Sequence, residues 1–196
     1  MLKVLQLIFA PNETWERIVA AKHGALRILL VYCLPLILLG VVLQGLGLIK
    51  IGTLPTEFAS PRPQPVAPEV VWRFAALRFG FDLVLLLLTT QVVYWLAASF
   101  IRGTTFSAAF RALAYSLGPL FLSQGLEGIP YLNAWLCWGL GILFTLHLLY
   151  HGIALALQPN QSTGFGLFLS GALVVLLLSG LTHFVFLAAF RRRLLI

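Results

Sequence analysis

Charged side chains are scarce in this sequence. They make up 10% of its 196 residues, against about 25% in a soluble globular domain. Between Ala112 and Phe190 the only formally charged residue is Glu127. That stretch is far too long for one helix, and no water-soluble fold of this size hides so much apolar surface. The chain is therefore expected to cross a bilayer repeatedly. Acidic residues are scarcer still, six in all, and they supply no paired carboxylates for acid–base chemistry. No Ser-His-Asp order and no phosphate-cradling glycine loop can be assembled either. No catalytic residue and no cofactor is assigned, and the chain is expected not to be an enzyme.

Cysteine is limited to Cys33 and Cys137. They fall near the starts of the first and fourth apolar runs, hence in opposite membrane halves. A disulfide needs Cα atoms within about 7 Å, so both are expected to be buried free thiols. No cleavable leader is expected either: Lys3 precedes a short apolar patch that Pro11-Asn12-Glu13 ends, and no small-x-small site follows. The first apolar run is expected to act as its own insertion signal. Aromatic-basic nucleic-acid motifs are absent, so the net charge of +7 points to anionic lipid headgroups and not to nucleic acid.

What is present is apolar length. Residues 28–49, 79–101, 131–157 and 165–190 are uncharged or nearly so, and each exceeds the roughly 20 residues that cross about 30 Å of hydrocarbon. Residues 106–126 are apolar but interrupted by Arg111 and Gly118-Pro119, which predicts a kinked or partly re-entrant fifth span. The whole chain, 1–196, is expected to form one all-α polytopic bundle of about five spans. Within it, ahead of the first span, residues 1–27 predict an amphipathic interfacial helix, with Asn12 as its cap and Trp15 in the headgroup layer. Residues 50–72 include five prolines and predict an extended loop, a spacer or a docking segment. Basic residues divide almost evenly between the two sides, so the positive-inside rule does not orient the chain.

Some of these segments carry more than hydropathy. "GTTFSAAFRALAYSLGPLFL", then "GIP", then a run ending "LHLLYHGIALAL", resembles the prokaryotic branch of the Yip family, the Ypt/Rab-interacting multi-span membrane proteins. The matching residues are Gly103, Phe106, Arg111, Ala114, Tyr115 and Pro119, and the opening "FAPNETWERI" adds Pro11 and Trp15. The resemblance implies a five-span helical domain with a cytoplasmic N-terminus and no established catalytic activity. Eukaryotic members act in vesicle traffic and bind small GTPases through a long hydrophilic N-terminal region. Only about 27 residues precede the first span here, so GTPase binding is not carried over.

Polar groups in hydrocarbon need a partner or a purpose. His147 and His151 are four residues apart, so they share a helix face and invite the idea of a metal centre. At about 1.5 Å of rise per residue they lie roughly 15 and 9 Å in from Leu157. His183 lies roughly 27 Å in from Phe165, which shares that end. It is too far in depth to be a third ligand, while Asp82 and Glu127 are placed near the opposite membrane face. No metal is therefore assigned. Asp82 is expected to pair with Arg73 or Arg78, and Glu127 with Gln124 to cap the turn before Pro130.

The same depth estimate gathers Tyr94, Tyr115, His147 and His151 in one membrane half, with Gln91 near the midplane. They are expected to form an inter-helical polar cluster, aided by the small residues Gly139, Gly141, Gly152, Ala156, Gly166, Ser170 and Gly171. The functional expectation is a membrane scaffold or adaptor in a bacterial cytoplasmic (inner) membrane, linked to membrane organisation or trafficking. Its expected partners are the lipid bilayer, another membrane protein or a second copy of itself. The alternative is a small transporter or channel that uses the cluster.

Overall fold

The computed structural model describes residues 2–52 and 65–194. Most of the proline-rich loop expected over 50–72 lies outside the described residues. Within them the chain is helical. Two short helices, α1 (Leu2–Phe9) and α2 (Pro11–Ala20), meet at Ala10. Proline has no N–H to lose in a first helical turn, so Pro11 starts α2 where the apolar patch ends. Ala10 occupies the cap position and Asn12 lies inside the helix, which corrects the expected Asn12 cap.

The first long helix runs Ala25–Lys50. It consists of α3 (Ala25–Ile28), a π turn (Leu29–Cys33) and α4 (Leu34–Lys50). The π turn has an identifiable cause. A proline ring collides with the carbonyl four residues back, and Pro35 enters one turn later. Widening the helix there lets the Leu34 N–H reach the Leu29 carbonyl.

α5 (Pro68–Phe100) is followed by Gly103 at φ +85°, a left-handed turn that glycine adopts without steric cost. Thr105 then caps α6 (Phe106–Ser116), its side chain accepting from the Ala108 N–H at 3.3 Å. The segment breaks at Leu117, before Pro119, and continues as α7 (Gly118–Ser123) and a 3₁₀ turn (Gln124–Gly128). No single piece here is long enough to cross. α8 (Ala134–Ala156), capped by Asn133, and α9 (Gln161–Leu194) complete the bundle.

Among the described residues, four helices are long and apolar enough to cross a membrane: Ala25–Lys50, Pro68–Phe100, Ala134–Ala156 and Thr163–Ala189. Their outward faces are apolar, with Leu136, Leu143, Leu177 and Trp95 all exposed, as a lipid-facing surface requires. The broken α6–α7 segment packs against α8, with Leu113, Leu117 and Phe121 fully buried. Cys33 and Cys137 are free and buried, as their positions implied.

Backbone contact between α4 and the 3₁₀ turn is unusually close, and glycine makes it possible. A Cβ at Gly47 would collide with the Gly128 carbonyl, and one at Gly128 would lie 2.8 Å from the Gln44 carbonyl oxygen. The small residues expected to matter are used unevenly. Gly141 accommodates Leu120 and Ser123, and Gly152 accommodates Trp15, whereas Gly139 and Gly166 have nothing within 4 Å. Trp15 is correspondingly fully buried within the protein and does not face outward as an interfacial tryptophan would. Gly47→Ala and Gly128→Ala should each destabilise the bundle by about 1–3 kcal/mol through overpacking. Gly139→Ala and Gly166→Ala should leave thermal unfolding in detergent unchanged.

Candidate functional site

The strongest polar constellation lies where the C-terminal part of α4, the first half of α5, the 3₁₀ turn and α9 converge. On α5, Arg78 and Asp82 are four residues apart, so one helix face presents both. In the 3₁₀ turn three residues complete one revolution, so Gln124 and Glu127 stand one above the other. Gly125 and Gly128 let that turn approach α4 closely enough for Gln44 to join. His183 arrives from α9.

Glu127 is the hub. Gln44 Nε2 donates to its Oε2 at 2.9 Å, and Arg78 Nη2 reaches its Oε1 at 3.5 Å. His183 Nδ1 lies 3.6 Å from the same Oε1, an ion pair when the imidazole carries a proton. Asp82 is the second acceptor: Gln124 Nε2 donates to its Oδ1 at 2.9 Å, and Arg78 Nε is 3.8 Å away. The Arg78, Asp82, Glu127 and His183 side chains are 1–5% exposed. Aromatic rings close the site. The Arg78 guanidinium sits 4.6 Å from the centroid of Phe186, and Trp135 meets the His183 ring edge-on at 4.8 Å.

The pairing is close but incomplete. Arg78 Nη1, Asp82 Oδ2, Gln124 Oε1 and both His183 nitrogens are buried without a hydrogen-bond partner among the described residues. All four side chains line one cavity of about 10 Å³, room for roughly one water. Burying such charges costs several kcal/mol each, so they persist only as a mutually bonded set. The arrangement can bind the ends of four elements together. Among the described residues no group of three or more His, Cys, Asp or Glu is placed to hold a metal.

Part of this was expected and part was not. Asp82 does pair with Arg78. Glu127 and Gln124, expected to cap the turn before Pro130, instead point into the bundle and bind α4 and α5. The residues Gln91, Tyr94, Tyr115, His147 and His151 are not brought together as a cluster. No hydrogen bond joins any two of them among the described residues. His147 is exposed and touches His151, ring centroids 5.0 Å apart. The reason is periodicity: α8 buries Gly141, Thr145, Leu148 and Gly152, which turns His147 to the outer side. Tyr94 packs on Phe106 at 5.9 Å, and Gln91 is half-buried on α5.

Tyr115, at the end of the bundle away from Arg78, packs instead on the N-terminal segment, 4.4 Å from the Tyr32 ring and 6.1 Å from Trp15. Tyr32 donates its hydroxyl proton to the Tyr115 carbonyl at 3.5 Å. Nearby, Arg111 Nη2 donates to the His23 carbonyl at 3.2 Å, tying α6 to the turn before α3. Trp15, Arg111 and Tyr115 thus hold the N-terminal helices onto the bundle, while Gly103, Phe106 and Pro119 shape the approach to α6 and α7.

The sequence points to Arg78 only as a partner for Asp82, to Gln124 only as a partner for Glu127 and to His183 only as a rejected metal ligand, and nothing in it singles out Gln44. A signal existed: the same depth arithmetic that separated His183 from His147 set it level with Asp82 and Glu127.

Replacing Arg78 with Met should destabilise the protein by about 3–5 kcal/mol, because two buried carboxylates lose their cation. The triple variant R78M/D82N/E127Q should recover most of that loss in thermal unfolding. His147→Ala, by contrast, should change stability by less than about 1 kcal/mol.

With the geometry in place, comparison with known proteins adds one match. The family described as the Yip1 domain matches residues 5–184. No curated protein and no solved structure matches the chain.

Proposed function

The chain belongs to the Yip1 domain family, and from that premise we propose that it is a non-enzymatic scaffold or adaptor within a membrane. It would organise lipid or protein neighbours, in membrane organisation or trafficking, through its outer faces and loops. The observation that carries this proposal is how the intramembrane charges are used. Arg78, Asp82 and Glu127 bond to one another and to Gln44 and Gln124, around a cavity with room for roughly one water. Charges serving a conduction path would face a water-filled lumen, whereas these hold helices in register. The bacterial cytoplasmic (inner) membrane is the proposed location, with a membrane protein or a second copy as partner.

Reconstitution into proteoliposomes tests the proposal. Proton and small-solute leak should stay at the level of empty vesicles, and photo-crosslinking from exposed positions such as Tyr150 should capture a discrete protein neighbour in native membranes. Flux above background that disappears in R78M or in the H147A/H151A pair would overturn it.

A further inference from the structure

At the opposite end of the bundle, the N-terminal helices form a second cavity. From Trp138, beside His183, to Gly152, beside Trp15, is roughly 21 Å along α8. There α1, α2, the turn after α2 and α6 enclose about 140 Å³, space for several waters at about 30 Å³ each. The polar walls are Lys3, Gln6, Thr14, Arg17, His23 and Tyr115.

These walls are cationic, and their charge is poorly neutralised. Lys3 makes no ion pair among the described residues; its Nζ lies 5.9 Å from the centroid of the Tyr115 ring. Arg17 shares its guanidinium with Glu13 at 3.6 Å, but those side chains are 67% and 80% exposed, and a pair so open to water is weak. Partial burial, and then the charges of Arg27, Lys3 and Arg111, hold His23 below its ordinary pKa. The local field is therefore positive, and an anion would relieve it. The surroundings say which anion. The cavity lies beside the start of the first spanning helix, where Leu26 and Leu30 are 69% and 53% exposed, and Phe9 on α1 is 82% exposed. A cationic pocket next to an apolar ledge suits a ligand with an anionic head and apolar tails.

We propose that this cavity binds the phosphate of an anionic lipid headgroup, with Lys3 and Arg17 as its charge partners and the Tyr115 hydroxyl as a donor. The acyl chains lie along Leu26 and Leu30. The site is independent of the scaffold role: it rests on a separate set of residues at the other end of the molecule.

The test uses the full-length protein in neutral detergent, titrated with short-chain phosphatidylglycerol, short-chain phosphatidylcholine and inorganic phosphate, with bound lipid counted by native mass spectrometry. Phosphatidylglycerol should bind more tightly than either of the others. The surface variant K3A/R17A should weaken it about tenfold or more. Lys50→Ala, at the far end of α4, should leave it unchanged. E13Q, which releases Arg17 from its carboxylate, should strengthen binding, a gain that misfolding cannot mimic. Equal binding of phosphatidylglycerol and phosphatidylcholine would overturn the proposal, as would an unaltered K3A/R17A or an equal loss in Lys50→Ala. Inorganic phosphate binding as tightly as phosphatidylglycerol would overturn the lipid assignment in favour of a soluble phosphate.

Discussion

A guanidinium and two carboxylates kept from water are the constraint around which one end of this bundle is organised. None of the three is tolerable alone in an apolar interior. Arg78 therefore needs Asp82 beside it on α5 and Glu127 across from it, and Glu127 takes a hydrogen bond from Gln44 on α4, with His183 of α9 3.6 Å away. Each requirement draws in another element. The 3₁₀ turn carries Gln124 and Glu127 only because glycines at 47, 125 and 128 remove the side chains that would keep α4 away. Close backbone approach and ion pairing are thus two parts of one device.

The other end is held by different means. Trp15 is seated over Gly152, Tyr115 lies between Trp15 and Tyr32, and Arg111 bonds the His23 carbonyl. Aromatic packing there admits short amphipathic helices that would be marginal in isolation. It also leaves a cationic hollow beside the lipid-facing start of the first span. One end is closed upon its own charges, while the other presents charge outward. A protein that organises a membrane has use for both, rigidity in its helices and an attachment to lipid.

Much of the architecture was legible in the sequence because apolar length and proline position act locally. The spanning helices follow from runs without charge, and the break before α7 from Gly118-Pro119. Family motif residues were legible for a related reason, since Gly103 and Pro119 mark turns that few other residues make. The site was harder to see. His147 and His151 stand out in sequence, yet they lie opposite the buried stripe of α8, and only the packing of neighbouring helices reveals which side faces in. Gln44 and His183 lie in different helices, each looking like an isolated polar residue, and Arg78 looks like a partner for Asp82 alone. Their convergence depends on the 3₁₀ turn, and a segment so short and glycine-rich resembles a simple loop. Depth along each helix did contain the answer, since His183, Asp82 and Glu127 share a level.

The central claim is that Arg78 and Glu127 stabilise the bundle through each other. A double-mutant cycle with R78M, E127Q and the pair, followed by reversible unfolding in detergent, measures this directly. A coupling free energy of about 1–3 kcal/mol between the two positions is expected. Losses that simply add, with coupling indistinguishable from zero, would contradict it.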